Sequence, residues 1–133
     1  MKSLSLVLRL ASLVFFSVAA VHLILGLGAD QLLGAVVPAE ALTEPSLDSQ
    51  NRFYGVSFAF YGVALNICAG DPKRFKPILE AALIVFFLAG CARLVSWGLH
   101  GAPAVLVIAL MAAELALPPL LYAWLRTALR SEV

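Results

Sequence analysis

PILEAALIVFFLAGCARLVSWGLH (Pro77–His100) and PAVLVIALMAAELALPPLLYAWLR (Pro103–Arg126) decide the fold of this chain. At about 1.5 Å of rise per residue, each run is long enough as a helix to cross a hydrocarbon layer roughly 30 Å thick. Yet the first carries Arg93 and the second Glu114. A charge at bilayer depth is costly, so it needs a partner, a water-filled space or a task. Arg suits a carboxylate partner, because its planar fork reaches several ångströms and binds oxygens in pairs. The two runs therefore predict adjacent spans joined by an ion pair.

The remaining chain agrees. It has 133 residues, of which 62% are hydrophobic and only 13% charged. A soluble domain of that length cannot bury such an excess, but a bilayer accepts it. The net charge of +1 argues against nucleic acid, which selects basic surfaces. Cys68 and Cys91 give no C-x-x-C pair and no metal spacing, so they read as small apolar residues. Nothing in the sequence names a cofactor.

Working back towards the N-terminus, Gly70-Asp71-Pro72-Lys73-Arg74-Phe75-Lys76-Pro77 is a basic loop of helix breakers. Before it, about residues 49–69 form another span. Gly55, Ala59, Gly62 and Asn66 recur on one face of it, and small residues at that spacing let helix backbones approach closely in lipid. Residues 28–48 form a connecting segment. Asp30–Val37 is expected as a short interfacial helix, and Ser46 or Asp48 as the next N-cap. The first span covers about residues 4–27. A signal peptide competes there: Lys2 and Arg9 supply a basic start, and Val18-Ala19-Ala20 a passable cleavage site. The apolar run continues past that site to Leu27, which favours an uncleaved span. The last two spans are expected over about residues 78–99 and 104–125, with Pro118-Pro119 kinking the fourth or loosening its hydrogen-bond ladder.

These elements predict an all-α protein: one transmembrane domain, a four-helix bundle. Lysine and arginine counts set its orientation. Lys73, Arg74 and Lys76 occupy the loop between spans two and three, while Lys2, Arg9, Arg126 and Arg130 lie at the chain ends. The 28–48 segment is acidic. Both termini are therefore expected in the cytoplasm and the acidic loop outside, as in a multi-pass protein of the bacterial inner membrane. Trp97, Tyr122 and Trp124 read as interface anchors. Glu80 is expected to meet Lys76 or Arg9.

The polar residues within the spans gather on the outer side. Arg93 lies roughly 10 Å in, Glu114 roughly 16 Å and His22 roughly 7 Å. Asn51, Arg52 and Tyr54 sit at the mouth of span two, Ser96 is one turn from Arg93, and Tyr61 lies two turns below Tyr54. A polar pocket in the outer leaflet follows, lined by Arg93, Glu114, Arg52, Ser96, His22, Asn51 and Tyr54. Arg52 is expected to compete for Glu114 or to meet an anion at the rim. A purely structural ion pair that fixes helix register is the alternative.

Ser49-Gln50-Asn51-Arg52-Phe53-Tyr54-Gly55, Gly90-Cys91-Ala92-Arg93-Leu94-Val95-Ser96, Gly101-Ala102-Pro103 and Glu114 together resemble a bacterial family of small four-helix membrane proteins known only as a domain of unknown function. The resemblance covers nearly the whole chain. It rests mainly on G-x-x-R-x-x-S in span three followed by a Gly–Pro turn. Val56 stands where a second glycine often follows the first in span two. The resemblance implies the four-helix fold and points to Arg52, Arg93, Ser96 and Glu114, but implies no activity. More distantly, the layout looks like the DoxD/DoxX-type four-helix proteins, which implies a quinone-linked role by fold analogy. Small multidrug transporters need their membrane glutamate in the first span, and this chain has none there.

Three functions fit. The pocket binds a small amphipathic or lipid-like molecule such as a lipid, quinone or isoprenoid. Alternatively, the protein is a membrane subunit or assembly factor, forming a homo- or hetero-oligomer through its glycine face and lipid-facing aromatics. In a third reading it is an enzyme in which Glu114 or His22 moves a proton on a lipid-soluble substrate. Membrane lipids are partners in every case.

Overall fold

A computed structural model describes residues 1–130. These residues form helices and no strands: α1 (Lys2–Leu25), α2 (Gly28–Leu32), α3 (Ala39–Leu42), α4 (Pro45–Gly70), α5 (Lys76–His100) and α6 (Val105–Arg130). Four of them, α1, α4, α5 and α6, are long and apolar enough to cross a membrane. The protein is a membrane-spanning helical bundle.

The spans begin earlier or end later than their apolar runs, because each helix continues into the polar residues that meet the headgroups. The largest difference is at α4. Neither Ser46 nor Asp48 caps it. Glu44 does, accepting the Leu47 N–H at 2.7 Å, with Pro45 in the first turn, where its missing N–H costs nothing. Bonds from the Leu47 and Ser46 amides hold the Glu44 carboxyl below its usual range. A carboxylate lowered by folding stabilises the fold above its ordinary pKa, about 4.3, and that contribution fades as pH falls through the lowered value. Glu44→Gln should therefore lower amide-exchange protection at Ser46 and Leu47 at neutral pH, with the difference from wild type vanishing in acid.

In the connecting segment, α2 occupies Gly28–Leu32 rather than Asp30–Val37, because the chain turns at Gly34, whose φ is +90°. Pro118 and Pro119 do not break α6, which runs through both. Glu80 meets Lys76 at 3.6 Å.

The spans pack as two pairs. α1 lies along α4 and α5 along α6, and the pairs meet mainly through α4 and α5. Lipid supplies no hydrophobic force between helices, so close packing must hold each pair. Gly55 shows how: a Cβ there would sit 3.1 Å from the Ala19 carbonyl oxygen and the Leu23 nitrogen, so the backbones of α1 and α4 nearly touch. Gly62 is buried on the same face, but Asn66 is exposed. Spacing alone keeps Asn66 within about 20° of Gly55 round the helix, so its exposure shows that the close contact with α1 has ended by that turn.

Contact between the pairs is concentrated near the loop at residues 71–75. Leu4 and Leu8 of α1, Leu65, Cys68 and Ala69 of α4, Leu79, Ala82 and Leu83 of α5 and Leu125 of α6 form one buried cluster there. The Tyr61 hydroxyl donates to the Ala82 carbonyl across α4 and α5. Above this bond Phe15 meets Tyr61 at 4.6 Å and Phe86 edge-on at 5.5 Å between ring centroids. Beyond that aromatic layer the packing thins, and Gly90 is the last buried residue of α5.

Candidate functional site

Arg93 follows Phe86 by seven residues and Leu79 by fourteen, so all three share one stripe of α5. Leu79 and Phe86 use that stripe to reach the α1–α4 pair. Glu114 likewise shares a stripe of α6 with Leu121 and Leu125, which pack in the core. The two charged residues thus continue the inward faces of their helices beyond the main buried cluster, at a level where Met111 of α6 is also buried.

The two side chains meet. Arg93 Nε donates to Glu114 Oε2 at 2.7 Å. Gly90 makes room: a Cβ there would lie 3.0 Å from Glu114 Cβ and 2.9 Å from Leu115 Cγ. The pair is unequal. Glu114 is only 10% exposed along its side chain, but Arg93 is 36% exposed. The bond is single rather than forked, and among the described residues both Nη groups of Arg93 have no hydrogen-bond partner. An inward-facing guanidinium therefore keeps its outer donors open.

The other expected residues divide between two places. Arg52 does not compete for Glu114. It bonds Asp48 through Nε at 2.8 Å and donates Nη1 to the Leu23 carbonyl. An acid one turn away on its own helix is nearer than any on α6, and α4 pairs with α1. Asn51 is buried and donates to Asp30 Oδ2 at 3.1 Å. Its Oδ1 has no partner, the one such buried side-chain atom among the described residues. These bonds tie the start of α4 to α1 and α2 instead of lining a pocket. His22 is buried, with Nδ1 2.9 Å from the Val18 carbonyl and its ring 5.2 Å from that of Phe58. A carbonyl only accepts, so Nδ1 carries the proton and Nε2 remains.

Ser96 is exposed and makes no hydrogen bond among the described residues. Three residues from Arg93, it lies off the inward stripe and beyond the last buried residue. Tyr54 shares the stripe of α4 that holds Tyr61, seven residues on, and is 45% exposed. No hydrogen bond among the described residues joins His22 to Arg93 or Glu114, so the two acid–base candidates are not assembled into one constellation. Tyr61 is legible in the sequence only by its depth, and its bond to α5 is not. No signal in the sequence marks the acceptor, which is a backbone carbonyl.

Two open cavities lie elsewhere. One, of about 530 Å³, is bounded by Lys2, Arg9 and Asp71 near the 71–75 loop. The other, of about 390 Å³, lies between α5 and α6. No group of three or more His, Cys, Asp or Glu able to hold a metal occurs among the described residues.

Helix order, span lengths and an ion pair at the edge of the core define a small four-span membrane protein. Its sequence matches the domain of unknown function DUF4345 over residues 3–125, and the chain belongs to that family. No curated protein and no solved structure matches it.

Proposed function

We propose that this protein binds a small amphipathic molecule in the outer leaflet of the bacterial inner membrane, between its two helix pairs. Both termini then lie in the cytoplasm, because the basic residues collect at that end. The observation that carries the reading is the state of Arg93. It is seated on an inward stripe, held by Glu114 through Nε alone, and left 36% exposed with its terminal donors open. Such donors suit an anionic or carbonyl oxygen on a lipid head group, a quinone or an isoprenoid. In this reading Glu114 is the positioning residue, and Tyr54 and His22 would face the molecule from the other pair.

The test is the small-molecule content of gently purified protein. Solvent extracts of wild type should contain a species that falls at least about tenfold with Arg93→Gln, the loss expected for one charge-assisted hydrogen bond. Identical extracts from the two proteins would refute the reading.

A membrane subunit or assembly factor is the second reading. Leu94 to Leu99 of α5 lie outside the core, and Ser96 and Gly98 are exposed among them. Small residues of this kind let another helix come close. Mass analysis in mild detergent separates the two: a partner lost with Gly98→Leu favours the subunit.

A further inference from the structure

The α5–α6 pair has a concave surface whose lining does not include Arg93. The groove of about 390 Å³ is walled by Glu80, Ile84 and Leu88 on α5 and by Pro118, Pro119 and Tyr122 on α6, and its lining is almost wholly apolar. From Glu80 to Leu88 it spans just over two helical turns, roughly 12 Å. That shape suits a chain rather than a compact solute.

Only one end of the groove is polar. Glu80 faces Lys76 at 3.6 Å. The Tyr122 hydroxyl accepts from Arg126 Nη1 at 3.1 Å, and the same guanidinium lies 5.7 Å from the Tyr122 ring centre. Lys76 is four residues before Glu80 and Arg126 four after Tyr122, so the antiparallel register brings the two cations level at the mouth. Among the described residues no carboxylate pairs with Arg126. The mouth therefore holds two cations against one acid, at the end of the helices where headgroups lie.

We infer that this groove seats one anionic phospholipid of the leaflet at the 71–75 end. An acyl chain occupies the groove and the phosphate sits between Lys76 and Arg126. A second copy of the chain is a poorer occupant. Both copies keep the same orientation in the membrane, so a symmetric contact through this face brings two basic mouths together at one level.

The test measures thermal stabilisation of the purified full chain by phosphatidylglycerol, by phosphatidylcholine with the same acyl chains, and by glycerol phosphate. Phosphatidylglycerol should stabilise most, and glycerol phosphate should do nothing. Arg126→Gln and Lys76→Gln should each weaken the phosphatidylglycerol response about fivefold and leave phosphatidylcholine unchanged. Ile84→Trp, at a residue 61% exposed, should fill the groove and remove the response to both lipids. The inference is overturned if the phosphatidylglycerol preference survives both charge variants, or is lost only with Arg93→Gln. A full response to glycerol phosphate, or a dimer that Ile84→Trp dissolves, also overturns it. Loss confined to Arg93→Gln would leave the proposed outer-leaflet site standing.

Discussion

Arg93→Met and Glu114→Leu should each destabilise the purified protein by about 3 kcal/mol, while the double variant recovers most of that loss. Each single change strands a charge that has no other partner among the described residues. The expected cost lies at the low end for a broken buried pair because Arg93 remains 36% exposed, so its surroundings already solvate part of it. The double change replaces two charges by apolar groups of similar length in a site that Glu114 fills at 10% exposure. Desolvation of the pair then no longer opposes folding. Thermal unfolding of all four proteins in one detergent gives the coupling directly. If the double variant folds as stably as wild type but its extracts lack the bound molecule, the pair exists for the ligand. A double variant as unstable as the worse single would mean that the ion pair itself fixes how α5 and α6 meet.

How much of this was legible in the sequence varied with the physical cause. Four spans were legible because a bilayer imposes a length and a composition that few other environments tolerate. The pairing of Arg93 with Glu114 was legible because two opposite charges at similar depth have few other ways to be satisfied. Residues with a local choice were harder. Arg52 has Asp48 one turn away, and at the edge of the membrane that near acid wins over a distant one. Ser96 was placed by spacing, but spacing says nothing of where packing ends. Glu44 was missed because glutamate is a less usual cap than the Ser46 and Asp48 that follow it, and Pro45 moved the helix start forward. The division into α1–α4 and α5–α6 pairs was only half visible. Gly55 and Gly62 announced a close contact without naming α1 as the helix that makes it.

Gly90→Leu should be as damaging as loss of the ion pair, and for a related reason. At Gly90 the first atom of any side chain meets Glu114 Cβ at 3.0 Å and Leu115 at 2.9 Å. Leu115 has a flexible end and can yield, but Glu114 Cβ is fixed to its backbone. Alanine must therefore shift α6 by a few tenths of an ångström, at about 1–3 kcal/mol. Leucine must part the helices where Arg93 reaches across, so its variant should also lose the bound molecule. The mechanism can be isolated by repeating Gly90→Ala in the Arg93→Met, Glu114→Leu background. If alanine acts by moving Glu114 away from Arg93, its cost shrinks there, because no bond remains to stretch. A crowded Leu115 alone would leave the cost unchanged. Gly98→Ala is the control on the same helix: a Cβ there meets nothing within 4 Å. It should be neutral or stabilising by up to about 1 kcal/mol, the helix preference for alanine over glycine. A Gly98→Ala penalty equal to that of Gly90→Ala would show that α5 resents any added side chain, and the special closeness of α5 and α6 at the ion pair would have no part in it.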